Sequence, residues 1–431
     1  MTEIAYRTVE ANGIPIHLAE AGSGPVVLLC HGFPESWYSW RHQLKALADA
    51  GYRAVAPDMR GYGQTGQPQD IDQYTLFHLV GDMIGVLDAL SAPQAVVIGH
   101  DWGAPVAWHC ALLRPDRFRA VAGLSVPFRP RGSTRPTSVM PQTDSSLFYQ
   151  LYFQAPGVAE AELQRDPRDT LRRLLYSGSD DIPRQSDNTL GDQAPGMVPR
   201  TGGFLTRTID PSTLPAWLTE ADIDFFAGEF ARAGFRGGLN WYRNIDRNWE
   251  LLAPFAGAKV TVPALYMAGD RDLVVKFPRM DQLISNLKTF VPELTKTIML
   301  PGCGHWTQQE RPSEVTAALI AFLREVGQSK TCAALNRHRK ERRRRDAAIQ
   351  GGRSGPSSLD RFASLAMTIM VHGLPTLTTR KVRSSPSSSR TDTYSPTLKA
   401  WSPKRKPSSS ASSLRPPFHS KAQVEAPRPP A

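Results

Sequence analysis

The sequence predicts an α/β protein: a mainly parallel, doubly wound sheet, a helical cap inserted into it, and a disordered C-terminal tail. Three observations carry this. Short, wholly apolar runs such as Val26-Val-Leu-Leu-Cys30 and Ala95-Val-Val-Ile98 read as strands buried on both faces, the pattern of parallel sheets covered by helices. Such runs alternate with helix-spaced segments up to residue 128. The alternation then stops over residues 129–250, resumes over 251–329, and gives way to a basic Ser/Pro/Arg-rich stretch over 330–431. The expected organisation is a core formed by 1–128 and 251–329, a cap at 129–250, and a tail.

In chain order, Asn12-Gly13 between two alternating stretches predicts a hairpin. The apolar strand 26–30 ends at His31-Gly32-Phe33-Pro34, a helix is expected over 37–50, and a strand over 52–57. Helical spacing over 76–90 leads into the strand 95–99, followed by a helix over 104–113 and a strand over 120–125. Helix-compatible stretches at 147–153, 158–164, 170–175 and 220–233, separated by Pro- and Gly-containing loops, make up the cap. Strands over 260–269 and 297–300 and a closing helix over 312–326 complete the core.

Charge is unevenly distributed. The chain carries 51 Lys/Arg and 40 Asp/Glu, a formal +11, but residues 330–431 hold 21 of the basic and 5 of the acidic residues, so residues 1–329 are net acidic. The tail has few large apolar residues to offset its ordering entropy, and its Arg342–Arg345 run has neither periodicity nor interleaved aromatics, so a solvated tail is expected and not a nucleic-acid arm. The apolar stretch 362–371 is too short to span a bilayer, no run reaches the roughly 18 apolar residues a membrane helix needs, and the N-terminus lacks a signal-peptide apolar region. Cys30, Cys110, Cys303 and Cys332 stand far apart without CxxC pairing and read as reduced thiols, not a metal site. The C-terminal Arg-Pro-Pro-Ala is not a peroxisomal tripeptide. A cytoplasmic protein is expected, monomeric or homodimeric, with no cofactor and no metal.

The chemistry centres on Gly99-His-Asp-Trp-Gly103 at the end of the strand 95–99. Two glycines bracketing Asp101 at a strand-to-helix junction have the spacing of a nucleophile elbow, where the central side chain is held exposed on a strained turn. The usual elbow carries Ser, which needs a base before it attacks. Asp101 is already an anion at neutral pH. A carboxylate attacking an sp3 carbon forms an alkyl ester that water must then hydrolyse, which suits epoxides and alkyl halides and not carboxylic esters or peptides.

Ester hydrolysis needs a general base, and between His109 and His338 the sequence holds one histidine, His305, between a predicted strand and the closing helix. An acid to orient it is expected after the preceding strand, where Asp270 and Asp272 both stand. The tetrahedral intermediate at the Asp101 carboxyl carbon needs N–H donors: the elbow offers that of Trp102, and the His31-Gly32-Phe33-Pro34 loop that of Phe33, with Gly32 permitting close approach and Pro34 stiffening the loop.

Together the segments His31-Gly-Phe-Pro-Glu-Ser-Trp, Gly99-His-Asp-Trp-Gly103, Phe148-Tyr-Gln-Leu-Tyr-Phe-Gln154, Leu239-Asn-Trp-Tyr-Arg-Asn244 and Gly302-Cys-Gly-His-Trp-Thr-Gln308 resemble the soluble epoxide hydrolases of the α/β-hydrolase superfamily, over roughly residues 3–328. The two segments within 129–250 are the specific ones. The resemblance implies an α/β-hydrolase fold and hydrolysis of epoxides to vicinal diols, with an epoxide and water as the partners. It implies Asp101 as nucleophile, His305 as base, Asp272 as its acid, and the Tyr149 and Tyr242 hydroxyls as donors to the epoxide oxygen; Tyr152 competes with Tyr149. The chain departs from the family at Ala155, where Glu is usual, and in the tail, and the N-terminal phosphatase domain of mammalian relatives is not expected here. A haloalkane or haloacid dehalogenase shares the Asp nucleophile but commonly has Asn where Phe33 stands. A non-catalytic receptor would not need the complete catalytic set.

Overall fold

The computed structural model describes residues 3–183 and 191–328. The expected tail and Cys332 lie outside them.

The chain opens with an antiparallel hairpin, β1 (Ala5–Ala11) and β2 (Ile14–Ala21), whose turn residues Asn12 and Gly13 both have positive φ, 51° and 80°, as the twist-matched two-residue turn requires. Then β3 (Val26–Cys30), β4 (Arg53–Pro57), β5 (Ala95–His100) and β6 (Phe118–Leu124) alternate with α1 (Arg41–Asp49), α2 (Leu76–Ala89) and α3 (Gly103–Leu113). After β6 the chain leaves the sheet. It forms a small antiparallel ribbon, β7 (Ser146–Phe148) with β8 (Met197–Pro199), and the helices α4 (Tyr149–Tyr152), α5 (Val158–Leu163), α6 (Pro167–Ser177), α7 (Glu220–Ala233), α8 (Arg236–Arg243) and α9 (Ile245–Leu251). It returns as β9 (Ala264–Gly269) and β10 (Leu294–Leu300), with α10 (Met280–Ser285) between them, then the single turn α11 (Thr307–Glu310) and a closing helix α12 over 312–328.

The main sheet runs β1-β2-β4-β3-β5-β6-β9-β10, parallel from β4 to β10, with the hairpin added antiparallel at one edge. Its two faces are both apolar because alternate residues of the same strand serve opposite sides. Val26, Leu28, Val97 and Val121 pack under α2 and α3, while Val27, Leu29, Val96 and Ile98 pack with Leu44 and Leu47 of α1 and with Val315, Leu319 and Phe322 of α12. Each fully buried aliphatic side chain contributes about 1.5–3 kcal/mol, so a charge on either face of a central strand has no tolerable place.

Several expectations need correction. The segment 37–50 opens as a 3₁₀ turn, Trp37–Trp40, capped by the Ser36 hydroxyl, and becomes α-helical only at Arg41. The helix expected over 147–153 is a strand followed by one turn: Phe148 is extended (φ −62°, ψ 139°) and pairs with Met197, a partner too distant in sequence for local periodicity to reveal. The strand expected from 260 begins at Ala264, because Pro263 has no N–H to give a ladder. Helix α8 carries no clear helical signal in the sequence, because Gly237 and Gly238 weaken helical propensity. They are there for approach: a Cβ at Gly237 would overlap the Gly61 backbone.

Candidate active site

At the C-terminal ends of β3, β5, β9 and β10 four loops converge. Asp101 follows β5 directly and has φ +49°, the left-handed conformation expected of a side chain presented on a sharp strand-to-helix turn. The turn closes only around glycine. A Cβ at Gly99 would overlap the Gly103 carbonyl, one at Gly103 the Cys30 carbonyl, and one at Gly32 the Asp101 carboxylate. The Phe33 amide donates to Asp101 Oδ1 at 2.8 Å. Trp102 occupies the N-cap of α3, and the Phe33–Pro34 peptide is cis. His31 is fully buried under the same loop: its Nε2 accepts from the Met59 amide at 3.0 Å, which leaves Nδ1 to donate to the Gly32 carbonyl at 2.9 Å.

His305 reaches the other side of the carboxylate. Its Nε2 is 3.5 Å from Asp101 Oδ2, and its Nδ1 is 2.9 Å from Asp272 Oδ1 and 3.2 Å from the Ser125 hydroxyl. Burial opposes the imidazolium, but the Asp272 and Asp101 carboxylates outweigh it and hold the His305 pKa well above the usual histidine range. Asp272 is fully buried; burial penalises its charge, and His305 more than compensates, so its pKa lies below the ordinary carboxylate value. Of the two acids left open by chain order, only Asp272 meets His305. Asp270 is half-exposed and accepts from the Gly302 amide at 2.9 Å.

Facing these groups, Tyr149 begins α4 and Tyr242 lies near the end of α8, their rings 5.9 Å apart. Burial, with the Asp101 charge next, raises both phenol pKa values, so both hydroxyls stay protonated. Tyr149 Oη accepts from the Gln150 amide at 3.0 Å, which leaves its own proton available. Tyr242 packs edge-on to Trp102 at 5.1 Å and to Phe33 at 5.6 Å. Tyr152 is directed elsewhere: its hydroxyl donates to Glu162 Oε2 at 2.8 Å. A cleft of about 1420 Å³ runs past Asp101, Trp102 and Tyr149 between apolar walls that include Met140, Phe148 and Trp249.

Comparison with known proteins identifies the family. Residues 25–312 match the alpha/beta hydrolase fold family. The chain is 47% identical to epoxide hydrolase A of Mycobacterium tuberculosis, over 74% of this chain and 96% of that protein. It is 43% identical to epoxide hydrolase 2 of Siraitia grosvenorii, over 75% of this chain and all of that one. The chain is an epoxide hydrolase of the α/β-hydrolase fold. The crystal structure of epoxide hydrolase A from Mycobacterium thermoresistibile superposes with a TM-score of 0.69 at 48% identity, covering 75% of this chain and 98% of that one. Among the described residues no helix is long and apolar enough to cross a membrane, and no three His, Cys, Asp or Glu side chains cluster as metal ligands.

Sequence reasoning missed what supports the site of this hydrolase. Glu35, fully buried, accepts from the Gly32 amide at 2.8 Å and the Gln308 amide at 3.0 Å and meets His100 Nδ1 at 2.9 Å, while His100 Nε2 meets the His305 carbonyl at 2.7 Å. Burial would raise the Glu35 pKa, but the His100 ring overrides it and holds it at about 2. A Glu directly after the His-Gly-Phe-Pro loop was the available signal, yet glutamate usually lies on a surface. Ser125 was also missed. It ends the β6 exit at φ +68°, fully buried against His305, with its carbonyl accepting from Tyr266 Oη at 2.8 Å.

Proposed function

We propose that this epoxide hydrolase works in two steps through an ester on Asp101, with residues 1–128 and 251–329 as the catalytic core and 129–250 as the cap that supplies the tyrosines. The observation that carries the reading is the asymmetric environment of one carboxylate, which has an N–H donor on Oδ1 and an imidazole beside Oδ2. Oδ1 is engaged by the Phe33 amide, so Oδ2 is the attacking atom. It bonds to an epoxide carbon; the C–O bond breaks, its electron pair stays on oxygen, and Tyr149 or Tyr242 donates the proton. Two donors are better than one because the alkoxide charge is shared as it forms.

In the second step His305 removes a proton from water, and hydroxide adds to the Asp101 carboxyl carbon. The negative charge then develops on Oδ1, where the Phe33 N–H already points, and the Trp102 N–H is the proposed second donor. Collapse of the intermediate expels the diol as an alkoxide that takes the proton of the new carboxyl group, which restores the Asp101 carboxylate, and the His305 imidazolium returns its proton to the tyrosine that had given one up. Alkylation prepares this step electrostatically. Esterification removes the Asp101 charge, one of the two that hold the His305 pKa high, and so moves the imidazole toward the neutral form a base requires.

A single turnover in 18O-water tests the scheme. The first diol should carry oxygen from Asp101, with label appearing in the protein, and His305→Gln should accumulate the mass of one substrate on the Asp101 peptide. Quantitative solvent label in the first diol would make Asp101 a base and end the nucleophile reading.

A further inference from the structure

The loop that carries His305 is gripped by a carboxylate that this chemistry does not use. Glu310 ends α11, and its Oε2 accepts from the Gly304 amide at 2.8 Å and from the Asp180 amide at 3.2 Å, while its Oε1 accepts from the Trp306 amide at 2.9 Å. Two of these donors flank His305. The third belongs to the turn that follows α6, on the tyrosine-bearing side of the molecule.

That turn and the last turn of α6 touch the same loop through other bonds. The His305 amide donates to the Gly178 carbonyl at 2.8 Å, and the Trp306 indole donates to the Leu175 carbonyl at 2.7 Å. Contact is close enough that a Cβ at Gly304 would stand 2.5 Å from the Asp180 nitrogen. A glutamate that only capped α11 would need amides from its own first turn; the Asp180 amide, 130 residues away in sequence, has no part in that helix. Burial raises the Glu310 pKa, and the N–H groups of Gly304, Asp180 and Trp306 favour its charged form against that burial.

We propose that Glu310 is a positioning residue for water activation, clamping the His305 loop to the turn 177–180 so that the imidazole keeps its place beside Asp101. The proposal rests on the reading of His305 as the base. Asp101 and the Phe33 amide make no bond to the clamp, so formation of the ester does not depend on it. Its loss is therefore felt in one step only.

The test measures the two steps separately on the full-length protein, following single-turnover intrinsic fluorescence and the mass of the Asp101 peptide with styrene oxide as probe. Glu310→Gln keeps the size but turns an NH₂ toward amides that need an acceptor, and Gly304→Ala pushes on the Asp180 turn without altering Glu310. Each should leave ester formation within about twofold and slow ester hydrolysis on the order of 10- to 100-fold, the scale on which small misplacement of a reacting group acts. Glu310→Asp, which keeps the charge with a shorter reach, carries the same measurement if Glu310→Gln does not fold. His305→Gln, run in parallel, separates the two claims. If it accumulates ester while the Glu310 and Gly304 variants hydrolyse theirs at the parent rate, or slow both steps equally, the positioning role is overturned and the base reading stands. If His305→Gln forms no ester, the base reading fails and the proposal falls with it.

Discussion

Asp101 and Tyr149 face the same cleft, but the chain holds them by different means. Around Asp101 the backbone itself is the support: glycines at 32, 99 and 103 leave no room for a methyl group, and the carboxylate is met by an amide and an imidazole. Around Tyr149 the support is aromatic. Its ring packs against Phe148 at 4.7 Å, Phe153 at 5.7 Å and Tyr242 at 5.9 Å, and it sits on a helix of a single turn. Backbone contact admits almost no substitution, whereas stacked side chains can repack. The difference places tolerance for change on the side that shapes the substrate pocket and denies it to the side proposed to perform the chemistry.

The sharpest way to probe the backbone-held side is Asp101→Asn, which keeps the shape and removes the nucleophile. Activity should fall by about 10⁴-fold or more, with no ester seen by mass spectrometry, as for loss of other nucleophiles. On the aromatic side, Tyr149→Phe and Tyr242→Phe should each slow ester formation about 10-fold and together on the order of 10³-fold, since each phenol partly serves alone. Tyr152→Phe should stay within about twofold in the same stopped-flow measurement, because its hydroxyl is committed to Glu162. Strong damage from Tyr152→Phe without damage from Tyr149→Phe would reverse the assignment.

Stability should divide along the same line. Gly103→Ala forces a methyl group into the Cys30 carbonyl and should cost about 3 kcal/mol or more in denaturant melts, whereas Phe153→Leu, amid movable rings, should cost about 1–2 kcal/mol. A smaller and signed effect comes from pH. The folded pKa of His305 is raised, so its contribution is full below its ordinary value near 6.5 and is lost as pH rises through the folded value. Glu35 has the opposite sign: its pKa falls from 4.5 to about 2, so its contribution is present above 4.5 and is lost as pH falls toward 2. His305→Gln should flatten the alkaline side of a stability–pH curve, and Glu35→Gln the acid side.

What could be read from the chain alone was local. Continuous apolar runs marked the buried parallel strands, the Gly-x-Asp-x-Gly spacing marked the elbow, and chain order singled out His305, because each of these reflects sterics or chemistry within a few residues. The choice of Asp272 over Asp270 was not local. Two positions separate them, yet one is buried against His305 and the other turns outward to Gly302. Likewise Tyr149 and Tyr152 share one short segment, and only the ribbon pairing of Phe148 with Met197 and the presence of Glu162 decide which hydroxyl faces the cleft. The Glu35–His100–His305 chain, the Ser125 contact and the Glu310 clamp join residues 65 to 205 positions apart in most of their links. No periodicity encodes such links. They exist because the strand order β3-β5-β6-β9-β10 brings separate loops to one edge, where buried polar groups must find partners in one another.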